Sequence, residues 1–152
     1  MILRGPTVAV LRRAVLAILV IGLVGTEIEL LLLKHTDGVW QLIPIVLQGA
    51  VILVLIWFGI AKSAASLRAL QGLMFACLIA GGIGVYQHFE ANVEYASDSN
   101  PSLSGSDLYK EAVLGSTPTL APGTMVQLAL LGLAFTFRHP RLRGSDHETE
   151  VS

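Results

Sequence analysis

The segment "AVLAILVIGLVGTEIELLLL", residues 14–33, decides the fold, because it is apolar throughout except for a polar step of Thr, Glu and Glu near its end. A helix of about 20 residues rises ~30 Å, which matches the hydrocarbon core of a bilayer. Similar stretches follow at residues 40–61, 69–88 and 118–137. The sequence therefore predicts an all-α, polytopic membrane protein, with four transmembrane helices packed as an antiparallel up-down bundle.

The composition favours burial in lipid over burial in a soluble core. Of the 152 residues, 53% are hydrophobic and 14% are charged, whereas soluble domains average about 25% charged residues. A soluble chain this short could not hide so much apolar surface, because small domains leave much of their surface in water. The formal net charge of −1 gives no bulk attraction to nucleic acid. We therefore expect the lipid bilayer, and no nucleic acid, as a partner.

The basic residues predict an orientation. Most lysines and arginines precede the first span, join the second span to the third, or follow the fourth, and only Lys34 and Lys110 fall on the other side. By the positive-inside rule, both termini are cytoplasmic in a bacterial-type inner membrane. A cleaved secretory signal is the alternative for the N-terminus. It is disfavoured because "LVGTE" is a poor cleavage pattern and the apolar run resumes after it.

Residues 1–138 are predicted to form a single transmembrane domain. Its third loop, residues 89–117, is the only sizeable segment outside the predicted spans, and we expect it to be periplasmic. Within it, "SDLYKEAVLG" predicts a short extramembrane helix, with Ser106 as the cap and Gly115 as the terminator. The polar tail, residues 139–152, has no apolar pattern and is expected to be a disordered cytoplasmic segment.

The start of the fourth span is irregular, because Pro118 and Pro122 both stand there. A helix capped by Thr117, with Pro118 as its first residue, would be long enough to span a membrane. Pro122 would then fall just past the first turn and bend the helix.

Small residues recur at every fourth position of the third span, and we call them the packing ridge: Gly72, Ala76, Ala80 and Gly84. Small side chains let a neighbouring helix approach closely, and such packing associates helices in lipid. Packing within the chain is the simpler interpretation. The other is contact with a second copy in a homo-oligomer, or with a partner helix in a larger membrane complex.

Two carboxylates interrupt the first span near its predicted outer end. Glu27 and Glu29 lie ~10 and ~8 Å along the helix before Lys34. A carboxylate at that depth costs several kcal/mol unless it reaches water, pairs with another group or takes up a proton. Glu27 shares a helix face with Lys34, so Glu29 has the stronger claim to a partner inside the bundle.

We predict that Glu29 and His88 meet between the first and third helices, with Gln127 nearby. The candidate outer polar cluster is Glu27, Glu29, His35, His88 and Gln127. Carboxylate and imidazole groups bind divalent metals in helix bundles, but these helices contain no Glu-x-x-His pair. The two histidines lie at the rim, where haem ligation is disfavoured. We therefore assign no metal to the cluster. Its remaining interpretations are a proton relay and a site for a quinone head group, and the sequence identifies no cofactor.

Gln48, near the middle of the second span, is expected to form a hydrogen bond to another helix.

The leading hypothesis for function is a non-catalytic accessory or packing subunit of a membrane assembly. The chain has little mass outside the predicted spans, and no phosphate loop, nucleophile elbow or hydrolytic triad pattern. The alternative is a ligand, metal or proton site in the outer half of the bundle, built on Glu29 and His88. A third hypothesis is a recognition module in residues 89–117, which has no motif to support it.

Overall fold

The computed structural model describes residues 5–115 and 118–143, and the regular elements among them are all α-helices. In chain order they are α1 (Gly5–Leu32), α2 (Val39–Ala61), α3 (Ala64–Ser99), α4 (Gly105–Val113), α5 (Gly123–Thr136) and α6 (Pro140–Arg143). The predicted all-helical class is confirmed. Three helices, α1, α2 and α3, are long and apolar enough to cross a membrane, and α5 is a shorter apolar helix.

The outward faces of α1 and α2 are apolar. Ile21 is 73% exposed, Leu32 is 77% exposed and Ile60 is 80% exposed. Only 11% of the most apolar window of each of these two helices is buried inside the protein. Contiguous apolar surface of this extent marks contact with lipid or with another protein. The apolar faces of these two helices are therefore covered by the surroundings of the protein and not by the protein itself.

The helices contact one another in a closed cycle, in which α1 packs on α2, α2 on α3, α3 on α5 and α5 on α1. Helices α1 and α3 thus lie across the centre from each other. We call the end that carries Leu32, Val39 and His88 the distal end, and the opposite end, with Arg12 and Ala61, the proximal end. Buried apolar side chains fill the centre at the middle and proximal levels, among them Leu19, Val51, Leu70, Met74, Leu128 and Phe135.

Glycines let α3 and α5 approach closely. A Cβ added at Gly81 would lie 2.8 Å from Val126 Cγ2 and 3.1 Å from the backbone nitrogen of the same residue. A Cβ added at Gly84 would lie 2.9 Å from Pro122 Cβ. The later residue of α3 meets the earlier residue near α5, so these two helices run in opposite directions.

The structure divides the packing ridge between two faces of α3. Gly84 contacts the segment before α5, and Ala76 and Ala80 are half-buried, but Gly72 is exposed with nothing within 4 Å of a Cβ placed there. A step of four residues overshoots one helical turn by ~40°, so the ridge rotates by ~120° between its first and last members. The buried face instead follows alternating steps of three and four residues: Leu67, Leu70, Met74, Cys77 and Gly81.

Helix α3 is longer than the predicted third span. It has 36 residues, which rise ~54 Å, and so it includes the first part of the predicted loop 89–117. No glycine or proline interrupts the chain between Gly84 and Pro101, and helices usually end close to such residues. The apolar pattern marks where a membrane segment ends, but the helix itself continues until these breakers appear.

The predicted short helix of the third loop is present as α4, and it packs against the extension of α3. Its N-cap position is Ser104 rather than Ser106. Ala96 and Ala112 are buried between the two helices, and the rings of Phe89 and Tyr109 stack with centroids 6.0 Å apart. The loop is therefore largely a helical hairpin.

The fourth apolar helix is shorter than predicted. It begins at Gly123, with Pro122 in the N-cap position, rather than at Pro118. Residues 118–122 form turns instead, in which the Ala121 N–H donates to the Pro118 carbonyl at 3.1 Å. A proline has no N–H and its ring clashes with the carbonyl four residues earlier, so Pro122 does not fit inside a helix that starts at Pro118. The predicted cap, Thr117, lies outside the described residues.

Part of the predicted disordered tail belongs to the folded chain. His139 is only 8% exposed, and its ring lies 5.8 Å from the ring of Phe58 and 5.6 Å from that of Phe135. Residues 140–143 form α6. The remainder of that segment, residues 144–152, lies outside the described residues.

The contact between α3 and α5 predicts unequal effects of alanine at two adjacent glycines. Gly81→Ala should lower the free energy of unfolding by about 1–3 kcal/mol, because the new methyl group would overlap Val126 Cγ2 and crowd the backbone of Val126 and Pro122. Gly82→Ala is the matched control, since nothing lies within 4 Å of a Cβ at that position. Thermal unfolding of both variants in detergent measures the difference, and equal stabilities would contradict this account of the packing.

Candidate functional site

A cavity of about 540 Å³ lies at the distal end of the helices. Helix α1 forms one side of it, α3 the opposite side, and α2 and residues 118–125 close the remaining sides. Much of its wall is apolar. Polar side chains enter it from several segments: Glu29, His35, Gln41, Gln48, Gln87 and His88. We call it the distal cavity.

The distal cavity exists because the four sides do not meet at this level. Helices α1 and α3 lie across the centre from each other, and α5 has not yet begun at the level of Pro118. The turns of residues 118–122 replace a helix there, with Pro122 against Gly84. A straight fourth helix starting at Pro118 would replace these turns beside the cavity. The position of Pro122, which prevents such a helix, therefore determines the shape of the site.

Glu29 and His88, which were predicted to meet, both line the distal cavity, one from α1 and the other from α3. The Nδ1 atom of His88 lies 3.1 Å from the Pro118 carbonyl oxygen. Because a carbonyl oxygen only accepts, Nδ1 carries the proton in this hydrogen bond. The Glu29 carboxylate is exposed on its helix. The two groups therefore face a shared space from opposite sides.

His35 also lines the distal cavity, from the loop that follows α1. Burial lowers the pKa of His35 below its ordinary value, and the charge on His88 lowers this pKa further. The imidazole of His88 is therefore close enough to influence the protonation of His35. The folded protein favours a neutral His35, which offers one N–H donor and one nitrogen acceptor.

The other two members of the candidate cluster do not line the distal cavity. Gln127 is exposed on α5. Glu27 turns toward α2, where its Oε1 lies 3.8 Å from the place that a Cβ would take at Gly49. Its Oε2 is buried without a hydrogen-bond partner among the described residues. Of the two glutamates, Glu27 thus holds the buried oxygen and Glu29 faces the cavity.

Gln48 is buried and lines the distal cavity, and its predicted bond to another helix is confirmed. The Thr26 hydroxyl on α1 lies 2.5 Å from the Gln48 side-chain oxygen on α2. Neither Thr26 nor the Pro118 carbonyl was predicted from the sequence to belong to the site. For the Pro118 carbonyl, the pair of prolines is the one feature of the sequence that points to it, because prolines indicate irregular backbone, in which carbonyls are not used by a helix.

The arrangement suits hydrogen bonding to a polar group more than it suits metal coordination. Among residues 5–115 and 118–143, no three side chains of His, Cys, Asp or Glu are grouped to hold a metal ion. Carboxylate, imidazole and carboxamide groups together supply both donors and acceptors, while the apolar wall suits a hydrocarbon portion. Comparison with protein families, with characterised proteins and with solved structures found no match.

The lowered pKa of His35 predicts a pH-dependent stability. A histidine whose pKa is lowered by folding stabilises the protein above its unfolded pKa of about 6.5, and this contribution is lost as the pH falls below that value. The melting temperature of the wild type should therefore fall more steeply than that of His35→Gln between about pH 7.5 and pH 5.5. An equally steep fall in the variant would show that His35 does not contribute.

Proposed function

We propose that this chain is a four-span integral membrane protein that binds a small amphipathic ligand in the distal cavity. The observation that carries the proposal is the convergence of Glu29, His35 and His88 on one largely apolar space within the helices. Ligand sites in proteins have this character, with volumes of ~300–1,000 Å³, mostly apolar walls and a few polar groups that orient the ligand.

The proposed topology is an antiparallel up-down bundle in a bacterial-type inner membrane, with the proximal end in the cytoplasm. Helices α1, α2 and α3 have the length of spans. Helix α5 rises only ~21 Å, so residues 118–122 complete the fourth crossing. Arg12, Lys62 and Arg138 lie at the proximal end, which the positive-inside rule assigns to the cytoplasm. The acidic hairpin of α4 and the end of α3 is then periplasmic.

This orientation places the distal cavity in the outer half of the membrane, close to the level of lipid head groups. A ligand there would keep its polar group near water and its apolar portion between helices. Glu29 has no cationic partner among the described residues. The one ion pair among them joins Lys110 to Asp107 on α4. A carboxylate only accepts hydrogen bonds, so it favours a head group that donates. We therefore propose a ligand with a hydroxyl or amine head.

Filling the distal cavity should displace the ligand. Ala80→Trp places an indole in the wall of the distal cavity. The adjacent Ile79→Trp is the control, because the side chain of Ile79 is 63% exposed and does not line the cavity. After purification in mild detergent, solvent extraction and mass spectrometry would count the amphipathic molecules retained per chain. We expect retention in the wild type and in Ile79→Trp, and loss in Ala80→Trp.

The polar groups of the cavity supply a second arm of this experiment. Glu29→Gln keeps the size of the side chain but removes its charge, and it should lower retention about ten-fold, since a hydrogen bond to a charged group is worth about 1.5–3 kcal/mol. Gln127→Ala is the control, because Gln127 is exposed away from the cavity. A wild-type protein that carries no amphipathic molecule, or equal retention in all variants, would contradict the proposal.

An accessory subunit of a membrane assembly is the second candidate function. The observation that favours it is the exposure of Gly72, where a neighbouring helix would find no side chain in its way. Phe75 and Ile79 extend the same exposed apolar region along α3. Such a surface accepts a partner helix or a second copy of the chain.

Two glycine variants separate association from folding. Gly72→Leu should weaken association while leaving the melting temperature unchanged, because this position is open. Gly84→Leu should lower the melting temperature, because its side chain would overlap Pro122. Mass measurement of the complex in mild detergent and a thermal melt give the two readouts. A wild type that is monomeric and free of partners would rule out this second function.

A further inference from the structure

A second cavity, of about 550 Å³, lies at the proximal end between α1, α2 and the chain that follows α5. We call it the proximal groove. Four basic side chains line it, and they come from three separate parts of the chain: Arg12, Arg13, Lys62 and Arg141. Deeper along α1 and α2 its walls are apolar: Leu16, Val20, Leu55 and Phe58. The groove is thus basic at one end and apolar along its length.

Hydrogen bonds to the backbone hold two of the guanidinium groups in place. Arg12 donates from Nε to the Phe135 carbonyl and from Nη2 to the Phe137 carbonyl, both at 3.2 Å. Arg141 donates from Nη1 to the Lys62 carbonyl at 2.6 Å. A guanidinium has five N–H donors, so each group keeps further donors for a ligand. Fixed guanidinium groups of this kind bind phosphate oxygens through paired hydrogen bonds.

Among the residues that the structure describes, no carboxylate lines the groove to balance this charge. Its lining residues include neither Asp nor Glu. Along α1 the nearest acidic residue is Glu27, which lies ~22 Å beyond Arg12 by helical rise. The buried His139 beside the groove adds no anion. The charge of the groove therefore calls for an anionic ligand from outside the described residues.

The apolar wall shows what kind of anion fits. The part of α1 that lines the groove, from Ala9 to Val20, extends ~16 Å, which is about half of a ~30 Å hydrocarbon core. Val20 is 40% exposed, so the groove is open to its side. An acyl chain of one leaflet matches that length. A free phosphate ion would leave the apolar wall uncovered.

We propose that the proximal groove binds an anionic phospholipid of the inner leaflet. Its phosphate contacts the four basic side chains, and one acyl chain lies along Leu16 and Leu55. Basic pockets between membrane helices on the cytoplasmic side recognise anionic head groups in this way. This inference rests on the membrane placement in the proposed function, and it is independent of the ligand in the distal cavity.

The test uses the full chain in nanodiscs of phosphatidylcholine that contain a minor fraction of phosphatidylglycerol. Mass spectrometry after release counts the two lipids that stay with the protein. We expect the wild type to retain phosphatidylglycerol selectively. Arg13→Gln and Lys62→Gln should each lower this selectivity about five-fold, which corresponds to ~1 kcal/mol per basic residue near the surface. Both side chains are exposed, so neither change disturbs the folded core.

Arg138→Gln is the matched control, because Arg138 lies at the same end but over the ring of Phe137, with the guanidinium carbon 5.4 Å from its centroid. Arg138→Gln should leave the selectivity for phosphatidylglycerol unchanged. A loss equal to that of Arg13→Gln would show that anionic lipids are attracted to the whole basic end of the protein rather than to the groove, and it would overturn the proposal. Equal retention of both lipids by the wild type would also overturn it. So would displacement of phosphatidylglycerol by inorganic phosphate, since the site would then be one for a free anion.

The same measurement distinguishes this inference from the distal ligand. Ala80→Trp should empty the distal cavity and leave the phosphatidylglycerol selectivity at its wild-type value. A protein that loses its distal ligand but keeps the lipid would support the groove alone. A chain that retains neither the distal ligand nor phosphatidylglycerol would contradict the membrane placement, on which both proposals depend.

Discussion

The need to cover the apolar surface of α1 and α2 is the constraint on which the rest of the structure depends. Most of each helix is not buried by the protein itself, and in water this would cost ~25 cal/mol for every Å² of apolar surface. In hydrocarbon the same surface costs nothing, and a helix satisfies its own backbone hydrogen bonds. What associates the helices there is close packing, which glycines provide at Gly22, Gly81 and Gly132.

That packing also explains why the two ends of the protein differ. In the middle, apolar side chains fill the space between helices. At the distal end, α5 starts late because of Pro122, and the turns that precede it leave a cavity between α1 and α3. At the proximal end, α1 and α2 leave a groove in which Arg12 is held on carbonyls near the end of α5 and Arg141 on the carbonyl of Lys62. The candidate sites are therefore gaps that the packing of four apolar helices leaves open. Mixed polar side chains border the distal cavity, and basic side chains border the proximal groove.

The sequence predicted the existence of the three long apolar helices, because length and hydropathy determine it, but α1 and α3 extend beyond the predicted spans. Helix α2 begins one residue before its predicted start and ends where it was predicted. The bond of Gln48 to α1 was also predictable, since a polar side chain in mid-span needs a partner. The start of α5 was not, because two nearby prolines allow different first turns. Each residue turns a helix by 100°, and α5 has no polar face to fix its rotation, so the side on which Gln127 falls could not be read from the pattern.

The most direct measurement is the sidedness of single cysteines in intact cells. Cys77 is the only cysteine and is buried, so Cys77→Ala gives a background without thiols. Asp98→Cys, at the end of α3, should react with a membrane-impermeant maleimide from outside. Ala65→Cys, which lies in the first turn of α3 and is exposed, should react only after the membrane is opened. Reaction of both sites from the same side, or recovery of the chain in the soluble fraction without detergent, would contradict the membrane topology proposed for this fold.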